Sequence, residues 1–102
     1  MERIVEIVPE AGLHARPASR FVETVNQYDA EIRVGDASET ETVDARSMLA
    51  VTGLNLRQGD RVRIVAEGED AEGALDALEE VLATPVEEEG NGGDEGETEG
   101  GD

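Results

Sequence analysis

Residues 12–18 read G-L-H-A-R-P-A and bring together the only histidine of the chain, an arginine two positions on and a proline. An imidazole is a nitrogen nucleophile that works near neutral pH. A guanidinium is a permanently charged planar fork whose donors match the oxygens of a phosphoryl group. Gly12 lets the backbone turn as other residues resist, which suits a loop that must aim a side chain. Downstream, Ala18, Phe21, Val22 and Val25 recur at helical spacing, with Arg20, Glu23, Thr24 and Asn26 on the other face. A helix over residues 16–27 follows, with Pro17 in the first turn, where the N–H it lacks has no partner anyway. His14 then stands just ahead of a helix start, where unpaired N–H groups and the positive end of the helix dipole favour an anion. Nucleophile, anion cradle and matching cation lie within a few residues, an arrangement suited to a transient phosphohistidine. The same residues also fit an ordinary exposed histidine or a weak helix cap. A metal site is disfavoured by the single histidine and by the lack of calcium-loop spacing. Hydrolytic catalysis lacks a second base, and no cofactor is expected.

The elements around this stretch alternate between two periods. Arg3–Val8 is short and β-branched and is ended by Pro9, which predicts a strand. Ile32 and Val34 share one face of a second strand, Val43 centres a third and weaker one, and G-D-A-S-E-T between them is a turn. A brief helix is predicted from Ser47 to about Gly53, where Ser47 is suited to cap it. A fourth strand places Val62, Ile64 and Ala66 on one face. Ala71, Ala74, Leu75, Leu78, Val81 and Leu82 make an amphipathic helix stopped before Pro85. The order β-α-β-β-α-β-α predicts an α+β fold, an open-faced β-sandwich with a four-stranded antiparallel sheet covered on one side by three helices.

Composition sets the limits. The chain has 102 residues, which predicts one small domain over residues 1–85 followed by a disordered tail over residues 86–102 rich in acid and glycine. From Glu87 onward there is no hydrophobic residue, so burial cannot offset the entropy of ordering that segment. Net charge is −18 and all eight basic residues are arginine. No basic stripe is present to bind nucleic acid, and an anionic membrane surface would repel such a chain. An acidic, lysine-free surface over an aliphatic core suits a salt-loaded cytoplasm, where salt screens the self-repulsion. Cysteine is absent, which excludes thiol chemistry and disulfides. No signal peptide or membrane span is legible, so a cytoplasmic location is expected.

G-L-H-A-R-P-A resembles the phosphorylation-site motif of the HPr family, the histidine-containing phosphocarriers of the phosphoenolpyruvate-dependent sugar phosphotransferase system. Ala45–Leu82 is similar to the second half of that family in order and spacing, so the resemblance covers residues 2–83. It implies an HPr-like fold and a carrier that is not itself an enzyme. His14 would accept phosphoryl on Nδ1 from enzyme I, charged by phosphoenolpyruvate, and pass it to the IIA domain of a sugar transport system. Arg16 would be the charge partner of the phosphoryl group, with Ala15 and Pro17 shaping the helix start. Met48 and Leu49 match the apolar patch that docks both partners, with Ala15, Arg20 and Arg46 adding contacts. Ser47 matches a serine that a dedicated kinase modifies in some bacteria. The alternatives are transfer to a dihydroxyacetone kinase or a nitrogen-regulatory branch, or a binding module that moves no phosphate. The chain departs from its relatives at Glu23, Asn26 and Ala50, where lysine is frequent in the family. The acidic tail is also foreign to the family pattern. Together with the acidic, lysine-free composition, the resemblance points to a halophilic member, haloarchaeal or other, and a monomer is expected because one small docking face suffices.

Overall fold

The computed structural model describes residues 1–84. The boundary expected at residue 85 and the acidic segment 86–102 lie outside the described residues. In chain order the elements are β1 (Glu2–Glu6), α1 (Ala15–Val25), β2 (Glu31–Asp36), β3 (Val43–Asp44), α2 (Met48–Thr52), β4 (Arg61–Glu67) and α3 (Ala71–Ala83). The four strands form one antiparallel sheet in the order β1-β4-β2-β3. The helices lie on one side of it, α3 against β1, β4 and α1, and α2 against α1 and β3. This is the open-faced α+β sandwich that the alternation of periods predicts.

Period-two patterning decides which face of the sheet is covered. Val62, Ile64 and Ala66 of β4 are buried, as are Ile32 and Val34 of β2. The pairing Val34↔Ile64 and Ile32↔Ala66 sets these residues side by side beneath the helices. Phe21 and Val25 from α1 and Leu75, Leu78 and Leu82 from α3 close the core above them. Among the described residues no polar or charged side chain is buried. The core therefore contributes hydrophobic burial without the desolvation penalty of a polar group.

Two boundaries differ from expectation for local reasons. β1 stops at Glu6 because the chain then leaves β4: Ile7 N–H donates to Asp60 O (2.9 Å) and Val8 N–H to Leu82 O at the end of α3 (2.9 Å). α1 stops at Val25 because its last turns tighten, with Gln27 N–H donating to Thr24 O (3.0 Å) and Tyr28 N–H to Val25 O (3.2 Å). The predicted turn after β2 is closed by Ser38, whose N–H and Oγ both donate to the Asp36 carboxylate and hold it below its ordinary pKa.

Segment 46–56 runs back alongside α1 and is pinned at both ends. At one end the Arg46 guanidinium donates to Val25 O (3.2 Å), Asn26 Oδ1 (3.0 Å), Tyr28 O (3.2 Å) and Ala30 O (2.7 Å). These groups lie at and just beyond the C-terminus of α1, where carbonyls lack helical partners and a cation is favoured. At the other end Leu56 O accepts from Leu13 N–H (3.0 Å). Arg46→Met keeps most of the stem but leaves these acceptors without their cation. It is expected to lower folding stability by about 1–3 kcal/mol in denaturant unfolding.

Candidate functional site

The loop from β1 to α1 is built to hold one residue out. Gly12 N–H donates to Pro9 O (2.9 Å), and Gln58 Nε2 donates to Val8 O (2.9 Å). Gly12 adopts φ +73°, and a Cβ there would lie 2.5 Å from Leu56 O and 2.8 Å from Arg57 Cα. Only glycine meets both demands, so the backbone of residues 12–13 can press against residues 56–57. Leu13 is fully buried, as are Ala18 and Phe21 on the far side of His14. His14 lies between these anchors and is half-buried.

His14 is the N-cap residue of α1, with φ −138° and ψ 167°, and its side chain makes no capping bond. The ring is thus not engaged as the helix cap that the sequence left open. Ala15, the next residue, has φ +53°, a left-handed conformation unusual for a residue with a Cβ and unfavourable by about 1–2 kcal/mol. Burial on both sides sustains that strain at the junction where the imidazole must be aimed. The first helical turn holds Arg16 and no acidic residue. A helix start normally favours carboxylates and disfavours cations. A cation and unpaired N–H groups together leave this start complementary to an anion from outside.

The other expected site residues divide into two groups. Arg16 and Arg20 are exposed and lie one turn apart on α1, and among the described residues neither guanidinium makes a hydrogen bond or an ion pair. Met48 and Leu49 are exposed, at 39% and 84%, on a helix packed against α1. Ser47 caps that helix, its Oγ accepting from Ala50 N–H at 3.1 Å. Arg46 was expected at the docking surface, but its guanidinium is held by the groups after α1. Asn26 is one of those groups.

Arg57 is the residue that sequence reading missed. Its backbone abuts Gly12, which places a further exposed arginine on the segment that supports the His14 loop. Its only local signal was its position within the matched second half of the chain, and the contact arises from tertiary structure.

The chain is similar to known proteins over nearly all of the described residues. The family model described as the PTS HPr component phosphorylation site matches residues 1–84. A phosphocarrier protein HPr from Haloferax volcanii is 62% identical over 85 residues, covering 83% of this chain and 96% of that one. A multiphosphoryl transfer protein from Salmonella typhimurium is 40% identical over 80 residues, which is 78% of this chain but 21% of that longer protein. The crystal structure of an HPr from Bacillus anthracis superposes with a TM-score of 0.75 at 34% identity, covering 80% of this chain and 95% of that one.

The close approach at Gly12 gives a direct test of how the loop is held. Gly12→Ala combines an unfavourable φ with a clash against backbone, and it is expected to lower stability by at least about 2 kcal/mol in denaturant unfolding. The amide signals of Leu13, His14 and Leu56 should move most in the NMR spectrum.

Proposed function

This chain belongs to the HPr family of phosphocarriers of the phosphotransferase system, and on that footing we propose that His14 is the phosphoryl-carrying residue. The observation that carries the proposal is the helix start. A ring without a capping bond precedes an N-terminus that holds a cation, no acid and unpaired N–H groups. In the proposed step a ring nitrogen, Nδ1 by analogy with the family, bonds to phosphorus as the phosphoryl bond to phospho-enzyme I breaks. The N–H groups of Ala15 and Arg16 and the Arg16 guanidinium take the phosphoryl oxygens. Transfer to a IIA domain then breaks the N–P bond and returns the ring to its starting state. The chain is a protein substrate in both steps, carrying no chemistry of its own beyond the nucleophile and its cradle.

Docking falls to the surface beside that cradle. Leu49 is the most exposed large hydrophobic side chain among the described residues, and it projects from a short capped helix alongside α1. Such exposure is unfavourable unless a partner covers it. Arg20 supplies a cation at the rim, whereas Arg46 supports the fold. A phosphate on Ser47 would put negative charge next to Leu49 and oppose acidic partners. The acidic composition and the similarity to a Haloferax protein support a salt-rich cytoplasm as the working medium. Among the described residues no helix is long and apolar enough to cross a membrane. A monomer presenting one small face suffices for two successive partners.

Incubated in high salt with phosphoenolpyruvate and enzyme I, the chain is expected to gain the mass of one acid-labile phosphoryl group. His14→Ala should gain none. An equal gain in the variant would move the acceptor elsewhere. Leu49→Asp should weaken enzyme I binding by roughly tenfold or more, as loss of a central apolar contact does. Affinity of the unmodified chain should change little between about 1 M salt and higher concentrations, where the Debye length is already ~3 Å. A steep fall over that range, read by titration calorimetry, would contradict apolar docking.

A further inference from the structure

α3 ends at Ala83, and Thr84 lies in a groove of about 310 Å3 between α1 and α3. Ala77 and Val81 give the groove apolar wall, Arg20 and Thr24 face them from α1, and Glu80 contributes its one acid. The last turn of α3 is tied by Leu82 O accepting from Val8 N–H, on the segment that follows β1 and feeds the His14 loop. The chain therefore leaves the described fold at the end of the molecule that carries His14. Eighteen residues follow Thr84, and they hold eight acidic residues and no basic one.

We propose that this acidic segment is an intramolecular ligand for Arg20 and Arg16, competing there with acidic partners until salt releases it. Reach permits the contact. Glu87, Glu88 and Glu89 are three to five residues beyond Thr84, a span of roughly 10–18 Å in extended chain. Thr84 and Arg20 already line one groove, and Arg16 stands one helical turn, ~5.4 Å, nearer to His14. Charge complementarity favours the contact too. Neither arginine has a hydrogen-bond or ion-pair partner among the described residues, and Glu80 is not paired with Arg20 although it lines the same groove. Glu80 and Glu23 oppose an incoming acid, which keeps the contact weak and reversible. Tethering compensates, because a linked ligand acts at an effective concentration of about millimolar. The attraction is felt over ~10 Å at about 0.1 M salt and only ~3 Å at about 1 M. Salt thus frees the arginines under the conditions in which the carrier works.

The competition half of the proposal rests on the carrier reading of His14, and docking does not, so two readouts separate them. The full chain is compared with a full-length variant in which each tail Glu is changed to Gln and each tail Asp to Asn. Both are studied near 1 M salt and at the lowest salt that preserves the amide dispersion of β4. In NMR, the Arg20 Nε–Hε signal and the first-turn amides of α1 should differ between the two chains at low salt and converge at high salt. Identical spectra at both salts would overturn the docking. Phosphoryl uptake from phospho-enzyme I should be roughly threefold to tenfold faster in the neutralised chain at low salt, as expected for a few exposed ion pairs, and equal at high salt. Equal rates at low salt would overturn the competition. Arg20→Gln in both backgrounds distinguishes docking from general repulsion by a double-mutant cycle. Docking predicts that the tail effect shrinks without Arg20, and an unchanged tail effect would contradict it. Failure of either chain to take up phosphoryl at any salt would reject the carrier reading and the competition with it, and the NMR comparison alone would then decide docking.

Discussion

Leu13 on one side of His14 and Ala18 on the other are both fully buried, and the chain between them must cross the start of α1 in four residues. The rest of the site follows from that constraint. Gly12 is required because the backbone before Leu13 lies against Leu56 and Arg57. Ala15 takes a left-handed conformation because the turn into the helix must be made in one step. His14 ends at the N-cap with its ring uncommitted to the helix, ahead of N–H groups that have no helical acceptor. The core beneath is plain aliphatic packing. In the proposed function its part is to make this short span rigid enough to hold the imidazole and the helix start in register.

The arginines show how an acidic chain divides a small supply of cations. Arg3, Arg33, Arg46 and Arg63 are held by carboxylates, carbonyls or hydroxyls within the fold. Arg16, Arg20, Arg57 and Arg61 are exposed, and their side chains make no such bonds among the described residues. Arg16, Arg20 and Arg57 belong to the first two turns of α1 and to the segment that supports its loop, and Arg61 opens β4. A surface otherwise dominated by acid thus keeps three of its four uncommitted arginines near one end of one helix. Screening at high salt removes long-range steering. In the proposed docking, contact pairs and the apolar patch of α2 then remain to supply specificity.

Much of this was legible because the local signals agreed with one another. The strict alternation of Val62, Ile64 and Ala66 could only serve a strand with one covered face, and the spacing of Ala18, Phe21 and Val25 could only serve a helix on that cover. Ser47 was readable as a cap because its hydroxyl needs only a backbone N–H three residues away. Residues whose roles depend on distant partners were harder to read. Arg46 looked like a surface cation near the docking helix, yet its guanidinium is placed by carbonyls 16–21 residues earlier in the chain. Arg57 comes beside Gly12 only through tertiary packing. The conformation of Ala15 carries no sequence signal, since alanine is an ordinary residue in a first helical turn.

In the proposed function, the start of α1 receives the oxygens of a phosphoryl group carried by His14. Backbone amide shifts measured in high salt before and after phosphorylation by enzyme I test it most directly. The largest changes are expected on the N–H groups of Ala15 and Arg16, with little change across β4 and α3. Phosphorylation that leaves those two amides unmoved, or that shifts a different surface most, would contradict it.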